Sequence, residues 1–327
     1  PSSRGMSGVE AKGSVPFASL GGRKLATSEL PRYVALGEMH LAKRARAAKE
    51  VLAACTLCPH LCRVNRLAGE RGFCGMLAQS VVASGGPHFG EEAVLVGRGG
   101  SGTIFFAGCT LRCVFCQNWQ ISWGGAGVAL TDEKLARVML SLERLGCANI
   151  NLVSPTHFVP QILGALRLAL SQGLKLPLVY NTGGYELPET LALLDGVVDI
   201  YMPDIKYADD KPGGLYSAAP DYAARTREAV REMQRQVGDL AIDKRGLAYR
   251  GLLIRHLVMP GDVAGTAEVL HFIAREISPR AVVNVMAQYR PAHLAIRHPP
   301  LNQPVRQSEV RAAKELAKQL GLRPIEP

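Results

Sequence analysis

Three cysteines in one short segment are the residues of this chain whose type and spacing point most directly to chemistry. Cys109, Cys113 and Cys116 stand four and three residues apart, just after an apolar run at residues 102–107 that has the composition of a β-strand. Thiolate is the soft ligand that iron and zinc accept, and three thiols on a tight loop can converge on one centre. A 4Fe–4S cluster normally takes four thiolates, so three would leave one iron open to another ligand. The alternatives are a zinc site that lacks its fourth ligand, or three cysteines of the core.

A second group of thiols comes earlier in the chain. Cys55, Cys58, Cys62 and Cys74 form a complete set of four, which suits structural zinc or a second 4Fe–4S cluster. His60 lies within this group and is predicted to point to solvent. Seven of the eight cysteines thus have metal-ligand spacing and none has the arrangement of a disulfide scaffold, which favours a reducing, cytoplasmic location.

The later triplet resembles a known pattern. The sequence CxxxCxxC with an aromatic residue, Phe115, before the last cysteine is typical of the radical S-adenosylmethionine (SAM) superfamily. The segments Gly-Ser-Gly-Thr-Ile-Phe-Phe before the triplet and Gln-Asn after it resemble the corresponding segments of PflX-type proteins. These proteins are relatives of pyruvate formate-lyase activating enzymes. The resemblance runs from about residue 55 to residue 291.

That resemblance implies a cofactor and a reaction. Cys109, Cys113 and Cys116 would hold a 4Fe–4S cluster, and SAM would chelate its open iron. An electron from the cluster would then split SAM into methionine and a 5′-deoxyadenosyl radical, which abstracts hydrogen from a substrate. The resemblance also implies an electron donor such as flavodoxin or ferredoxin, and it allows a protein or peptide as substrate.

Strands and helices alternate after the triplet region begins. Six strands are predicted, at residues 103–107, 149–154, 176–181, 197–202, 251–258 and 282–288. Helices are predicted between them, at residues 131–145, 160–173, 187–194, 222–236 and 265–275, with Thr131 as an N-cap. Repeated βα units imply a parallel sheet, and six rather than eight suggest an open, partial (βα)6 TIM-like barrel of radical SAM type.

The rest of the chain divides around this barrel. We expect a flexible arm over residues 1–30, a helix and cysteine-rich metal-binding lobe over 31–100, the barrel over 101–295, and a C-terminal helix packed on it over 296–327. Within the lobe, residues 80–83 and 93–96 are predicted to be strands. The adjacent Glu91 and Glu92 could face the active site, but as two neighbouring acids on a loop they are predicted to be solvated.

Polar residues follow several of the predicted strands, and ligands of parallel βα folds bind at those strand ends. The candidates are Thr156, His157, Asn181, Thr182, Asp204, Lys206, Arg255 and Arg290. The resemblance implies that Asp204 and Lys206 lie beside SAM, with Lys206 neutralising its carboxylate. Asn181, Thr182, Asp204 and the Met202 carbonyl would form a monovalent-cation site.

The remaining candidates have less defined roles. Thr156 or nearby backbone carbonyls are expected to hold the SAM amino group. Arg255 and Arg290 are expected to contact SAM or a substrate anion. Side-chain alternation allows only one of Arg255 and His256 to point inward, and Arg255 is favoured. His157 is either an acid/base or a structural histidine. Cys147 is either a core residue or a hydrogen donor to a substrate radical.

Composition excludes some functions. No run reaches the roughly 18 apolar residues of a membrane span, and the N-terminal residues lack the apolar core of a signal peptide. The net charge of +10 is spread along the chain, with one small basic cluster at residues 43–46, so nucleic-acid binding is not predicted.

Three functions remain open. They are activation of a glycyl radical enzyme, radical chemistry such as epimerisation on a small molecule or peptide, and an RNA-directed or non-catalytic role for a cluster protein.

Overall fold

The structure, a computed structural model, describes residues 30–325, so residues 1–29 of the predicted arm lie outside the described part of the chain. In chain order the strands are β1 (Ser80–His88), β2 (Ser101–Phe106), β3 (Val128–Leu130), β4 (Ile150–Val153), β5 (Leu178–Thr182), β6 (Ile200–Pro203), β7 (Ala241–Ile242), β8 (Ala248–Leu257), β9 (Val282–Met286) and β10 (Arg323–Pro324).

The helices surround this set of strands. They are α1 (Arg32–Leu36), α2 (Glu38–Glu50), α3 (Ala93–Val96), α4 (Trp119–Ser122), α5 (Asp132–Arg144), α6 (Val159–Ser171), α7 (Pro188–Ala192), α8 (Asp210–Ser217), α9 (Tyr222–Val237), α10 (Thr266–Phe272) and α11 (Gln307–Gln319). Helix α5 begins as predicted, because the Thr131 hydroxyl accepts a hydrogen bond from the Lys134 amide at 3.3 Å.

The six predicted strands form the parallel part of the sheet, in the order β9-β8-β6-β5-β4-β2. The short strand β10 extends one edge in parallel, whereas β1 and β3 are antiparallel at the other edge. The fold is therefore an α/β partial TIM-like barrel, as predicted. No helix among residues 30–325 is both long and apolar enough to cross a bilayer.

Two apolar layers separate the outside of the sheet from its inside. The larger one buries the strand residues that face the helices, and it reaches as far as Tyr33 and Leu41 in α1 and α2. The smaller one lies inside the barrel, where Leu95 packs against Val179, Leu253 and Val282. Alternation along the strands sends successive side chains to these two layers.

One predicted strand is wrong. Residues 93–96 form the helix α3, which places Leu95 among the inward-facing residues of the parallel strands. A short apolar run has no periodicity that distinguishes a strand from a buried helical turn. Its position between β1 and β2 decides the outcome, since it closes the barrel interior at the amino ends of the strands.

Candidate active site

The cysteine triplet lies on the loop that follows β2, at the carboxyl end of the parallel sheet. Each sulfur has a hydrogen-bond partner that can donate to it. The Leu111 amide is 3.3 Å from Cys109 Sγ, the Ser217 hydroxyl is 3.0 Å from Cys113 Sγ, and the Ser122 hydroxyl is 3.1 Å from Cys116 Sγ.

This set of donors fits an iron–sulfur cluster, because hydrogen bonds to cluster sulfurs tune its potential. Burial raises the pKa of Cys113 to about 12, while the Lys206 ammonium acts in the opposite direction. A thiolate at this position therefore depends on nearby positive charge, which a metal would supply. Among residues 30–325, no group of three or more His, Cys, Asp or Glu side chains is arranged closely enough to bind a metal ion together. The fit therefore rests on the identity of the donors.

A network of charges lies next to the triplet. Asp204 follows β6 and accepts hydrogen bonds from Lys206 Nζ at 2.6 Å and from Arg255 Nε at 2.8 Å. Burial opposes ionisation of Asp204, yet Arg255 and Lys206 hold its pKa below the usual range. Burial likewise opposes the charge on Lys206, but Asp204 raises its pKa above the usual range. The charge of Lys206 also lowers the pKa of Cys109 and of Cys113. One buried cation therefore stabilises the ionised forms of both the Asp204 carboxyl and these two thiols.

Arg255 points inward, as alternation predicts, and His256 points into the opposite layer. The Arg255 guanidinium reaches Asn181 Oδ1 at 2.7 Å as well as Asp204. His256 lies 2.7 Å from the Ile205 carbonyl and 3.0 Å from the Thr266 hydroxyl, and burial lowers its pKa to about 4. His256 is thus a structural residue.

The same contacts argue against the predicted monovalent-cation site. Arg255 binds the side-chain oxygen of Asn181, and it shares the Asp204 carboxylate with Lys206. The Thr182 hydroxyl donates to Glu186 instead of facing these oxygens. Lys206 and Arg255 therefore already bind the Asp204 and Asn181 side-chain oxygens that were proposed as ligands of the ion.

Glu186 is a buried acid that the sequence did not reveal. It is fully buried, and its carboxylate accepts hydrogen bonds from the hydroxyls of Thr156 at 2.6 Å, Tyr180 at 3.3 Å and Thr182. Thr156 was expected to hold the SAM amino group, but the structure engages it with Glu186. The signal for Glu186 was weak, because a single acid after a Gly-Gly-Tyr turn has no characteristic spacing.

Glu186 gives a prediction for the pH dependence of stability. Burial raises its pKa from 4.5 to about 7, so the folded state holds a proton that the unfolded state has lost between these two values. Its contribution to stability is therefore complete below about pH 4.5 and is lost as the pH rises to about 7. Glu186→Gln should remove this loss, which amounts to a few kcal/mol at neutral pH.

Thermal unfolding of the wild type and of Glu186→Gln between pH 4.5 and 8 measures how their difference in stability changes with pH. The melting temperature of the variant should exceed that of the wild type progressively more as the pH rises. A constant difference across this range would show that Glu186 titrates normally. Glu189→Gln, at an exposed position on α7, is the control.

His157 is a structural histidine. It is buried, and its Nε2 donates to the Ala107 carbonyl at 2.8 Å, just ahead of the cysteine loop. Burial lowers its pKa to about 3, so it is neutral at physiological pH. The backbone carbonyl of His157 in turn accepts from Arg66 Nη1 at 2.7 Å. His157 therefore joins the end of β2 to the N-terminal lobe.

Phe115 is buried beside the triplet and packs against Tyr289, with ring centroids 5.9 Å apart. Tyr289 also donates its hydroxyl to the Leu301 carbonyl at 2.6 Å. The neighbouring Arg290 is exposed, so the expectation that it contacts SAM finds no support in its position. Alternation after β9 turns Tyr289, rather than Arg290, toward the cysteine loop.

Cys147 lies at the other end of the barrel. It precedes β4, whose carboxyl end faces the triplet side, and it is buried in the large core. It also lines a cavity of about 1140 Å³ at the amino ends of the strands, together with Phe89, Arg98 and Lys175. A hydrogen donor must reach the reacting carbon, so this position contradicts the catalytic role considered for Cys147 and supports the core role.

The four N-terminal cysteines gather in one lobe beside the triplet loop. Cys55, Cys58, Cys62 and Cys74 are all free thiols, and the other three act electrostatically on Cys58. The Phe73 amide donates to Cys62 Sγ at 3.3 Å. The four thiols are therefore near one another without forming a closed ligand set, and the fit to the predicted metal centre rests on the number and type of the donors.

His60 links the two cysteine groups, and the prediction that it points to solvent is wrong. Its Nε2 lies 2.9 Å from the Thr110 carbonyl, beside Cys109, and its ring stacks on Phe73 at 3.6 Å. A second contact joins the same two segments, because Arg112 of the triplet loop donates a hydrogen bond to the Phe73 carbonyl at 2.9 Å.

Gly108 completes the junction between the lobe and the loop. Its φ is +75°, and a Cβ there would stand 2.9 Å from the Cys74 carbonyl. A glycine is therefore required where the two cysteine segments meet.

The sequence of this chain is similar to those of known proteins over most of its length. Residues 103–273 match the model of the Radical SAM superfamily. The chain is 33% identical over 285 residues to the uncharacterized protein MJ0674 of Methanocaldococcus jannaschii, covering 84% of this chain and 77% of that protein.

Solved structures with a similar fold include a radical SAM methyltransferase from Sphaerobacter thermophilus and Streptococcus suis SuiB bound to the precursor peptide SuiA. The first has a TM-score of 0.46 and 14% identity, covering 68% of this chain and 65% of the methyltransferase. The second has a TM-score of 0.44 and 12% identity, covering 66% of this chain and 46% of SuiB.

Proposed function

Because this chain belongs to the radical SAM superfamily, we propose that it binds a 4Fe–4S cluster at Cys109, Cys113 and Cys116 and cleaves SAM reductively. The cluster, when bound, supplies the electron that converts SAM into methionine and a hydrogen-abstracting 5′-deoxyadenosyl radical. The observation that carries this proposal is the shared position of three hydrogen-bonded thiols and a buried Lys206 at the carboxyl end of the sheet.

The chain's own residues bind and orient. Lys206 carries the positive charge suited to the carboxylate of SAM, and Asp204 and Arg255 fix its position. Phe115 and Tyr289 form an apolar wall against the loop, which limits the access of water. The hydroxyls of Ser122 and Ser217 hold the thiols in place.

Reductive cleavage of SAM tests the proposal. Protein loaded anaerobically with iron and sulfide should form 5′-deoxyadenosine and methionine in equal amounts when dithionite is added. No 5′-deoxyadenosine above the protein-free control would contradict the proposal and favour the non-catalytic alternative.

The hydrogen donor is an organic substrate, and activation of a glycyl radical enzyme is the form that the similarity to PflX-type proteins supports. The electron donor would be a low-potential one-electron protein such as flavodoxin or ferredoxin. An epimerase that relies on Cys147 loses its support, because this thiol lies at the opposite end of the barrel. RNA binding is likewise weakened, since Arg44 of the basic cluster is engaged with the carbonyls of Leu193 and Asp195.

The N-terminal lobe is proposed to hold a second metal, zinc or a 4Fe–4S cluster, at Cys55, Cys58, Cys62 and Cys74. Its support is four adjacent thiols next to the triplet loop.

Replacing Cys58 by alanine should remove this second metal. Because His60 and Phe73 hold the triplet loop from this lobe, we expect Cys58→Ala also to lower iron at the triplet by about half or more, on the scale of losses from changes around metal ligands. Zinc and iron per chain measure both effects. Cys147→Ala is the control, and an unchanged metal content in Cys58→Ala would exclude the second site.

A further inference from the structure

The inner face of the barrel carries buried polar residues that the proposed chemistry does not use. Strand β1 runs antiparallel to β2 and pairs His88 with Ser101, so the residues after His88 cross the barrel toward α3. Glu92 is buried there, and the Glu91 side chain is only 9% exposed. The prediction that these two acids are solvated is therefore wrong.

Asn151 on β4 joins this acidic pair. It is aligned with Val179, which packs against Leu95 inside the barrel, so Asn151 faces the same interior. Glu91 is close enough to Asn151 and Glu92 for both to influence its pKa. We call Glu91, Glu92 and Asn151 the barrel floor.

Three atoms of the barrel floor have no hydrogen-bond partner among the described residues. They are Glu92 Oε2 and both side-chain atoms of Asn151, Nδ2 and Oδ1. Glu92 Oε1 is bound, since it accepts from Asn284 Nδ2 at 2.9 Å. A buried polar atom without a partner costs free energy, so these atoms require a ligand or ordered water.

A neighbouring asparagine shows what a purely structural arrangement looks like. Asn149 on the same segment donates to the Leu95 carbonyl at 2.7 Å and accepts from the Ser101 hydroxyl at 2.7 Å. Both ends of its amide are satisfied within the protein. Asn151 differs from Asn149 in this respect, although both are buried.

The charges around the floor favour a cation. Glu91, Glu92 and Asp204 supply three carboxyl groups, against the two cations Arg255 and Lys206. Without a third cation beside these groups in the described part of the chain, burial raises the pKa of Glu91 to about 7. A bare divalent metal is disfavoured, because Arg255 Nη1 stands 3.7 Å from Glu91 Oε2 and Arg255 Nε binds Asp204. A singly charged group that donates several hydrogen bonds suits the two unpaired acceptors.

We infer that the barrel floor recognises a primary ammonium group of the substrate, with a carbonyl or hydroxyl oxygen next to it. The ammonium donates to Glu92 Oε2 and Asn151 Oδ1, and the neighbouring oxygen accepts from Asn151 Nδ2. This inference rests on the proposed function, because Arg255 connects the floor to Asp204 and Lys206 beside the triplet. It specifies the class of substrate as an amine, either free or as part of a peptide.

Two small probes of equal size test the inference. Glycinamide carries an ammonium beside a carbonyl, and propionamide replaces the ammonium by a methyl group. In ligand-observed NMR titrations of the cluster-loaded protein with SAM, glycinamide should bind at least about tenfold more tightly than propionamide. Equal affinity for the two probes would overturn the inference.

Variants show which residues cause the preference for glycinamide over propionamide. Glu92→Gln keeps the size of the side chain and should abolish the preference, whereas Glu189→Gln on the surface of α7 should retain it. Asn151→Ala leaves the hydrogen bonds of Asn149 and Asn284 in place, so it should fold and also lose the preference. A preference that survives in both Glu92→Gln and Asn151→Ala overturns the inference, as does a crystal structure with glycinamide that shows only water at the floor.

The two proposals can fail separately. Wild-type protein that forms 5′-deoxyadenosine but does not distinguish the probes would overturn the floor alone. Protein that distinguishes the probes but forms no 5′-deoxyadenosine would overturn the proposed reaction alone.

Discussion

Simultaneous replacement of Cys109, Cys113 and Cys116 by alanine should reduce iron by about four atoms per chain and abolish 5′-deoxyadenosine formation. The expected loss of activity is at least about a thousandfold, since SAM cleavage needs an iron that is open to SAM and a centre held by four thiolates has none. Iron, zinc and sulfide content of anaerobically purified protein, with chromatographic detection of 5′-deoxyadenosine, measures both results.

The iron content of the wild type also identifies the N-terminal metal. About eight irons falling to about four would mean two 4Fe–4S clusters, whereas about four falling to none with one zinc retained would mean structural zinc. Cys147→Ala should match the wild type in iron and in activity, because Cys147 lies at the amino ends of the strands. Wild-type protein that binds no iron after reconstitution would contradict the whole interpretation.

Replacing Asp204 by alanine should destabilise the protein by about 3–5 kcal/mol, since it leaves Arg255 and Lys206 buried without their shared carboxylate. The side chains of all three residues are at most 16% exposed, so water cannot replace the lost partner. Denaturant unfolding of the wild type and the variant gives the difference in free energy. The affinity for SAM should fall as well, because Lys206 loses the contact that positions it.

A surface ion pair provides the control for this prediction. Arg231 and Glu276 are bound to each other and are about half exposed, so Glu276→Ala should cost about 1 kcal/mol or less. A similar small cost for Asp204→Ala would show that the charges near the triplet are solvated. Lys206→Ala should weaken SAM binding without changing iron content, which separates SAM binding from cluster binding.

Local patterns in the sequence were sufficient to predict the fold and to propose the metal ligands. The alternation of apolar strands with capped helices predicted six βα units, because the periodicity of each element depends only on its own residues. The spacing of Cys109, Cys113 and Cys116 likewise indicated a cluster, since three thiols on one loop need no distant partner to come together.

Contacts between distant segments decided the rest. Glu91 and Glu92 are adjacent acids in sequence, and only the path of the chain across the barrel places them among Asn151, Arg255 and Asn284. His60 meets the triplet loop 50 residues away.

Cys147 and Glu186 illustrate the same limit. The strand direction puts Cys147 at the end of the barrel away from the triplet, and three hydroxyls from β5 and the segment after β4 gather around Glu186. The sequence by itself determined the order of the six parallel strands and indicated the chemistry of the cysteines. The tertiary structure decided which polar side chains lose water and which partners they gain, because burial and pairing depend on segments that are far apart in the chain.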